Sequence, residues 1–450
     1  MFAKQAPTNP GRHAHVSGWG TFVALTVALS CLGCGGERES FQDQVARCAQ
    51  LSGAKASKLE GLRTEVARIE SVGETPLALS SPAISQAEQD GSNAALMLRA
   101  ALNDATRLQL LPKLDDCLPE GRFVFKPKQI ERARSLLDGV QRLRGAIAAA
   151  EQAPRCEFQT RTDLGFFAKL RYLDDAAIAT RLHVLAAGTR LADGELPAAI
   201  NELRLALWWA DHLGRTPRLE ARLLAAQLRG QCLVVIEAIV GGELVGVAAP
   251  QKVDVERLYT LLRQSLDDWP GDDAPLVGDR AVTLHAYEAL REGMYKTLVT
   301  KEEKAMLDRR GLLGRVADPK PRELDADQLA YLEVMAGLIE AAAEPHYKRA
   351  DQVKNLLGRV APDTDGASRA PLAAYLFLPG AGDALEEMAR DRAACEAWAV
   401  ALASVGGLDR PPYRVNPVTG EDYELVRSRS GVEVRTGDSR LRDPFAEDLP

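Results

Sequence analysis

The stretch from Glu195 to Gly214, ELPAAINELRLALWWADHLG, decides how this chain is read. Leu196, Ala199, Ile200, Leu203, Ala206, Leu207 and Ala210 recur at three- and four-residue intervals, which places them on one stripe of an α-helix. Asp193-Gly194 immediately before it is a turn signal, and residues 167–191 upstream are again helical in pattern. Two helices joined by so short a turn must lie antiparallel, so the local unit is a helical hairpin. Downstream, Thr216-Pro217 reads as an N-cap with proline at the first helical position. The helix it opens carries Gln231-Cys232-Leu233-Val234-Val235-Ile236, apolar nearly all round and therefore a buried helix.

Ala187, Gly194, Ala199, Leu203 and Ala206 match the small and apolar positions of a tetratricopeptide (TPR) unit. Small side chains let antiparallel helices approach, and glycine permits the tight turn. His183 and Arg190 stand where the repeat has Trp and Tyr, and no second unit follows at a period of about 34 residues. Helical patterns continue in both directions. A capping box at Ser40 opens a helix reaching about Ser71, and further helices read over about 82–111, 127–152, 253–269 and 275–298. Thr300-x-x-Glu303, Asp325-x-x-Gln328 and Asp383-x-x-Glu386 mark the starts of three more. After Pro411-Pro412 the texture changes. Tyr423, Leu425 and Val426, then Gly431, Val432 and Val434 predict a short antiparallel strand pair, with a loose tail over 443–450. The expected fold is all-α: stacked antiparallel helical hairpins, TPR-like or α-solenoid-like, closed by a small C-terminal β-hairpin. The expected segments are a leader over 1–34, helical regions over 35–153, 154–310 and 311–409, and the strand pair with its tail over 410–450.

Composition agrees. Of 450 residues, 46% are apolar and 26% charged, ordinary globular usage, while aromatics are only 5%. The formal charge of −7, from 56 basic and 63 acidic residues, leaves no basic excess for phosphates, so nucleic acid is not an expected partner.

The amino terminus reads as an export signal. Lys4 and Arg12 precede residues 13–36, which contain no Asp, Glu, Lys or Arg. Within that window the apolar run 22–32 is too short for a membrane span of about 20 residues but suits a signal-peptide core. It meets Ser30-Cys31-Leu32-Gly33-Cys34-Gly35-Gly36, which resembles a bacterial lipobox, where a cysteine takes a diacylglycerol and the peptide is cut before it. Gly33 and the Gly35-Gly36 tether favour Cys34; the apolar residue expected three positions before the cysteine favours Cys31. A plain secretory signal or an uncleaved anchor is the alternative. The expected location is the cell envelope, lipid-anchored and facing the periplasm or exterior.

The other cysteines, Cys48, Cys117, Cys156, Cys232 and Cys395, are too widely spaced for zinc. Cys232 and Cys395 read as small core residues. Cys48–Cys117 is a candidate disulfide across a helical hairpin, Cys156 competes for Cys117, and three free thiols are the third reading. Catalytic signatures are thin. His183, His212, His285 and His346 lie far apart, and no G-x-S-x-G, Walker A or G-x-G-x-x-G occurs. His285 and Glu288 share a helical face but lack a third metal ligand. Asp267, Asp268, Asp272 and Asp273 around Trp269-Pro270-Gly271 read as a helix end and a new start rather than a calcium site. Asp363-Thr364-Asp365-Gly366 reads as a turn. No cofactor or metal is expected. Trp208 and Trp209 point about 100° apart on a helix, one toward the core and one toward a groove, where it could anchor a partner.

Several landmarks occur in a recognisable order: Cys156-Glu157-Phe158, Ala192-Asp193-Gly194, Asp211-His212-Leu213, Gly278-Asp279-Arg280-Ala281, Leu376-Phe377-Leu378-Pro379 and Asn416-Pro417-Val418-Thr419-Gly420. Over roughly residues 156–436 the chain resembles a group of uncharacterised exported helical proteins of planctomycete bacteria. That resemblance implies export and a helical fold and carries no activity. Two functions follow as expectations: a membrane-tethered, non-enzymatic helical scaffold that binds another envelope protein, or an envelope hydrolase using dispersed acidic residues. A shallow groove near the tryptophans fits the first; a deep pocket of perturbed carboxylates fits the second. Mass spectrometry of the mature amino terminus should find a diacylated cysteine at Cys34 or Cys31; a start at Met1, or well past Ser40, would sink the lipobox reading.

Overall fold

The computed structural model describes residues 92–118, 127–158, 170–241, 250–291, 293–318, 320–362, 368–409, 411–427 and 432–435. Their helices are, in order, α1 (Ala94–Ala101), α2 (Asp104–Cys117), α3 (Pro127–Gly139), α4 (Gln141–Ala150), α5 (Arg171–Ala192), α6 (Leu196–Gly214), α7 (Leu219–Gly241) and α8 (Lys252–Asp267). Then follow α9 (Asp273–Arg291), α10 (Tyr295–Leu298), α11 (Lys301–Arg309), α12 (Leu313–Ala317), α13 (Pro321–Ala342), α14 (His346–Gly358), a π-turn (Ala373–Phe377) and α15 (Ala381–Gly406). The described residues are all-α apart from a terminal antiparallel pair, β1 (Glu424–Arg427) and β2 (Val432–Arg435), with Leu425 opposite Val434. The strand pair lies where alternation predicts it.

Local signals hold where they are strongest. Gly194 turns α5 into α6 with φ 76°, a left-handed conformation that favours glycine. The Thr300 hydroxyl accepts from the Glu303 amide at 3.1 Å while the Glu303 carboxylate accepts from the Thr300 amide at 2.8 Å, the reciprocal box that opens α11. Elsewhere the boundaries move. The expected helix over 82–111 is broken in its described part, because Asn103 caps α2 by accepting from Thr106 N at 2.8 Å. The helix expected over 127–152 divides at Val140. Proline at its first position starts α13 at Pro321, so Asp325 lies inside a helix rather than at its cap. Gly380, at φ 79°, starts α15 ahead of Asp383. Helix α14 has no counterpart in the sequence reading.

Four helices form a ring that organises the first half of the core. Arg190 meets Glu195 and His183 meets Glu202, so α5 and α6 are antiparallel. Ser265 Oγ donates to Asp211 at 2.5 Å and Arg215 pairs with Asp268 at 3.2 Å, so α6 and α8 run in the same direction. Gly406 lies against Val255, whereas Asp391 of α15 and Trp269, just past α8, both meet Arg229, so α15 returns antiparallel to α8. Helix α7 then lies between α6 and α15, which closes the ring.

Arg229 of α7, 1% exposed, holds this ring together. Its Nε donates to both Asp391 oxygens of α15, at 3.1 and 3.0 Å, and its Nη1 to Asp211 of α6 at 3.1 Å. Its guanidinium lies 4.6 Å from the centre of the Trp269 ring, just past α8, and Arg222 lies 4.9 Å from the same ring. Arg349 adds a second bridge. It pairs with Asp272 at 2.7 Å and donates to the carbonyls of Ala342 and Glu344, which caps the end of α13.

Two hydrophobic cores meet at this network. One gathers α1 to α8 with Cys395, Trp398, Ala399 and Leu402 of α15; the other gathers α9 to α14 with Ala384, Leu385 and Met388. Packing therefore divides near the junction of α8 and α9 and shares α15. Removing Arg229 would strand two carboxylates in a dry interior. Arg229→Met is expected to cost about 3–5 kcal/mol in thermal or urea unfolding, and adding Asp391→Leu should recover most of that loss. A double variant no more stable than the single one would contradict this account of the junction.

Candidate functional site

A groove of about 560 Å³ runs along the outside of the ring between α6 and α8. Pro197 and Ile200 line one wall, Val253 and Leu261 the other, and Arg204 and Arg257 stand at its polar edges. The two walls are tied at their C-terminal ends by the Asp211–Ser265 and Arg215–Asp268 contacts. The groove occupies the stretch ahead of those ties, residues 197–204 and 253–264. Val253 is 45% exposed, a large apolar side chain left in solvent at the groove's mouth. Glu256 lies 3.9 Å from Lys252, and Arg257 lies 3.8 Å from Asp254. The groove's lining therefore carries two cations, Arg204 and Arg257, against one carboxylate, Glu256.

The opposite face of α6 is locked. His183 of α5 sits between two carboxylates, with Nδ1 at 2.6 Å from Glu202 and Nε2 at 2.7 Å from Glu151 just past α4. Trp209 is fully buried and donates its indole N–H to the same Glu151 at 2.8 Å, while Arg144 pairs with Glu202 at 3.3 Å. Burial alone would lower the imidazole pKa; the hydrogen bonds from Glu151 and Glu202 outweigh it and raise it. Burial likewise opposes ionisation of Glu202, and His183 outweighs it, so that carboxyl is lowered. Three helices are thus clipped at one histidine held between two carboxylates, which fixes how α6 presents its groove face.

The tryptophan pair divides as its spacing predicts. Trp209 is core. Trp208 is half-buried, edge-on to Trp209 at 4.9 Å between ring centres and 4.4 Å from His212. It lies one helical turn beyond Arg204 on the same side of α6.

Cys31, Cys34 and Cys48 fall outside the described residues. Cys117 and Cys156 are buried free thiols, so the candidate bridge between them is not made. They sit in different surroundings: Cys156 lies against the Ala95 amide at the start of α1, and Cys117 near Asp116 and Arg132. Burial pushes both thiols up. Cys232 and Cys395 are fully buried, as expected of small core residues. Burial brings His285 down to about 4, and the Glu288 side chain and residues 363–367 lie outside the described part. Of the acidic set around Trp269, Asp272 is recruited by Arg349 and Arg222, a role its sequence context did not signal. Among the described residues no group of three or more His, Cys, Asp or Glu side chains gathers as a metal site.

Perturbed carboxyls elsewhere hold helices together. Asp279 is pushed up to about 7 by burial and by Glu220, against the pull of Arg218 at 2.6 Å. Its other oxygen accepts the Leu219 amide at 3.3 Å, capping α7 from a distant helix. The cap expected at Thr216 is therefore supplied by tertiary structure. Gly278 permits that approach, since a Cβ there would stand 1.6 Å from the Pro217 carbonyl oxygen. Burial raises Asp327, which accepts from the Leu372 and Ala373 amides and the Tyr287 hydroxyl. Among the described helices, α7 alone is long and apolar enough to cross a bilayer; it lies in the first core with both its arginines paired.

The chain matches no known family model, no curated protein and no solved structure.

The His183 clip has a defined pH signature. An unfolded histidine titrates near about 6.5. The folded value is higher, so the native state holds the proton more tightly. The clip's stabilisation is then complete below about pH 6.5 and lost as pH rises through the raised folded value. His183→Gln should lower the melting temperature clearly at pH 6, on the scale of about 3 kcal/mol, and by less at pH 9. A gap that widens with rising pH would contradict the charged clip.

Proposed function

We propose that this protein is a non-enzymatic helical scaffold of the cell envelope. In this reading it is held to a membrane through a lipidated Cys34 or Cys31, and it binds a segment of another envelope protein in the α6–α8 groove. The α5–α6 hairpin acts as a single TPR-like unit that presents one wall. The observation that carries the reading is the groove itself: an open channel with apolar walls and charged edges, built on helices whose far faces are locked. Rigid helices with exposed apolar side chains suit recognition of an extended or helical segment.

The hydrolase reading draws less support. Asp279 and Asp327, both raised by burial, are bound to arginine or backbone amides that tie helices together. Such raised values are a known by-product of structural ion pairs.

Crosslinking and pulldown from native envelopes tests the proposal with the full chain and a Val253→Glu variant. Wild type should capture a stable partner, and the variant should lose about tenfold of that capture with its melting temperature unchanged. Equal capture by both chains would refute the groove as the binding surface.

A further inference from the structure

The α6–α8 groove lies close to the point where the chain leaves its last strand. Val434 of β2 packs on Ala397, Val400 and Ala401 of α15. Because Gly406 is level with Val255 and Asp391 and Trp269 meet at Arg229, Val400 and Ala401 stand level with about Leu261 of α8, mid-groove. Packed helices lie about 8–10 Å apart, so β2 is about 20 Å from α8 across α15. The ten residues from 436 to 445 span up to about 33 Å when extended, enough for Phe445 to pass around α15 toward the groove. The terminal segment, Asp443-Pro444-Phe445-Ala446-Glu447-Asp448-Leu449-Pro450, is thereby within reach of the groove.

Its chemistry complements the groove. It carries three acids, Asp443, Glu447 and Asp448, and no basic residue. The groove's lining carries Arg204 and Arg257 against the single carboxylate Glu256. Phe445 and Leu449 supply apolar anchors for walls formed by Pro197, Ile200, Val253 and Leu261. Pro444 and Pro450 disfavour helix and favour the extended backbone that a narrow groove accepts. Tethering over so short a link gives an effective concentration in the millimolar range, so a weak intrinsic fit suffices.

We propose that the resting occupant of the α6–α8 groove is this chain's own segment 443–450, held by Phe445 and Leu449 with its acids facing Arg204 and Arg257. The inference rests on the groove being a docking surface, and it makes the envelope partner a competitor that displaces the segment.

Two measurements on the full chain test it. A photo-crosslinking benzoylphenylalanine is placed at position 445, in an equal mixture of light and isotope-labelled protein. Crosslinks should join light to light and heavy to heavy, and map to residues 197–204 or 253–264. Arg257→Glu should lower their yield about fivefold, and Glu447→Arg in the same chain should restore it. Crosslinks between light and heavy chains, crosslinks mapping elsewhere, or none at all would overturn the proposal. In the second measurement, a labelled peptide of residues 440–450 is titrated by fluorescence anisotropy. It should bind Phe445→Ala/Leu449→Ala protein at least about tenfold more tightly than wild type, because the wild-type groove is already filled. Equal binding to both, or binding to neither, would overturn self-occupancy. The Val253→Glu pulldown reads the groove's role separately, so loss of partner capture there, with no crosslink here, would reject only the self-occupancy.

Discussion

A guanidinium buried in the middle of four helices sets the terms for this fold. Arg229 cannot enter the interior without compensation, since an isolated buried charge costs several kcal/mol even after relaxation. Compensation comes from Asp391 on α15 and Asp211 on α6, with the Trp269 ring against its face. Those partners dictate which helices are neighbours. Once α15 must bring Asp391 to α7, its C-terminal half lies along α8. Once Asp211 must face Arg229 and accept from Ser265, α6 and α8 are tied at one end and run in parallel. The groove lies ahead of that tie.

The same logic recurs at smaller junctions. Arg349 gathers the end of α13, the loop after α8 and the Leu385 carbonyl of α15 with one side chain. Asp279 caps α7, and Asp327 caps the turn that leads into α15. In each case a charged or polar group from one helix satisfies the open backbone end of another. Such contacts add little net free energy compared with apolar packing, but leaving one partner unmet is expensive, so they discriminate against other arrangements of the same helices. Their perturbed titration is a consequence of that burial. The His183 clip belongs with them: it locates α6 against α4 and α5 while leaving the groove face of α6 outward.

Much of the fold was legible in the sequence. The stripe from Leu196 to Ala210, the turn at Gly194, the all-round apolar stretch of α7, the Thr300–Glu303 box and the alternation at 423–434 each correspond to an observed element. Trp208 and Trp209 separated into a half-buried and a buried residue, in keeping with their angular offset of about 100° on a helix with one face outward. The misplacements share a cause. At Thr216, Asp325 and Asp383 a local capping pattern competed with a proline start, a left-handed glycine or a carboxylate from elsewhere in the chain, and the competitor won. Asn103 was read as interior because its cap interrupts an otherwise continuous apolar pattern.

Helix content, the hairpin turn and the terminal strands follow from periodicity and backbone preference, which act over a few residues and can be read from them. The groove and the charged junctions do not. Arg229 and Asp391 are separated by 162 positions, and nothing near either one names the other. Glu151, His183 and Glu202 likewise meet only because three helices converge. Which buried charge pairs with which depends on how the helices are stacked. That choice is made by desolvation and packing in three dimensions, and only the tertiary structure records it.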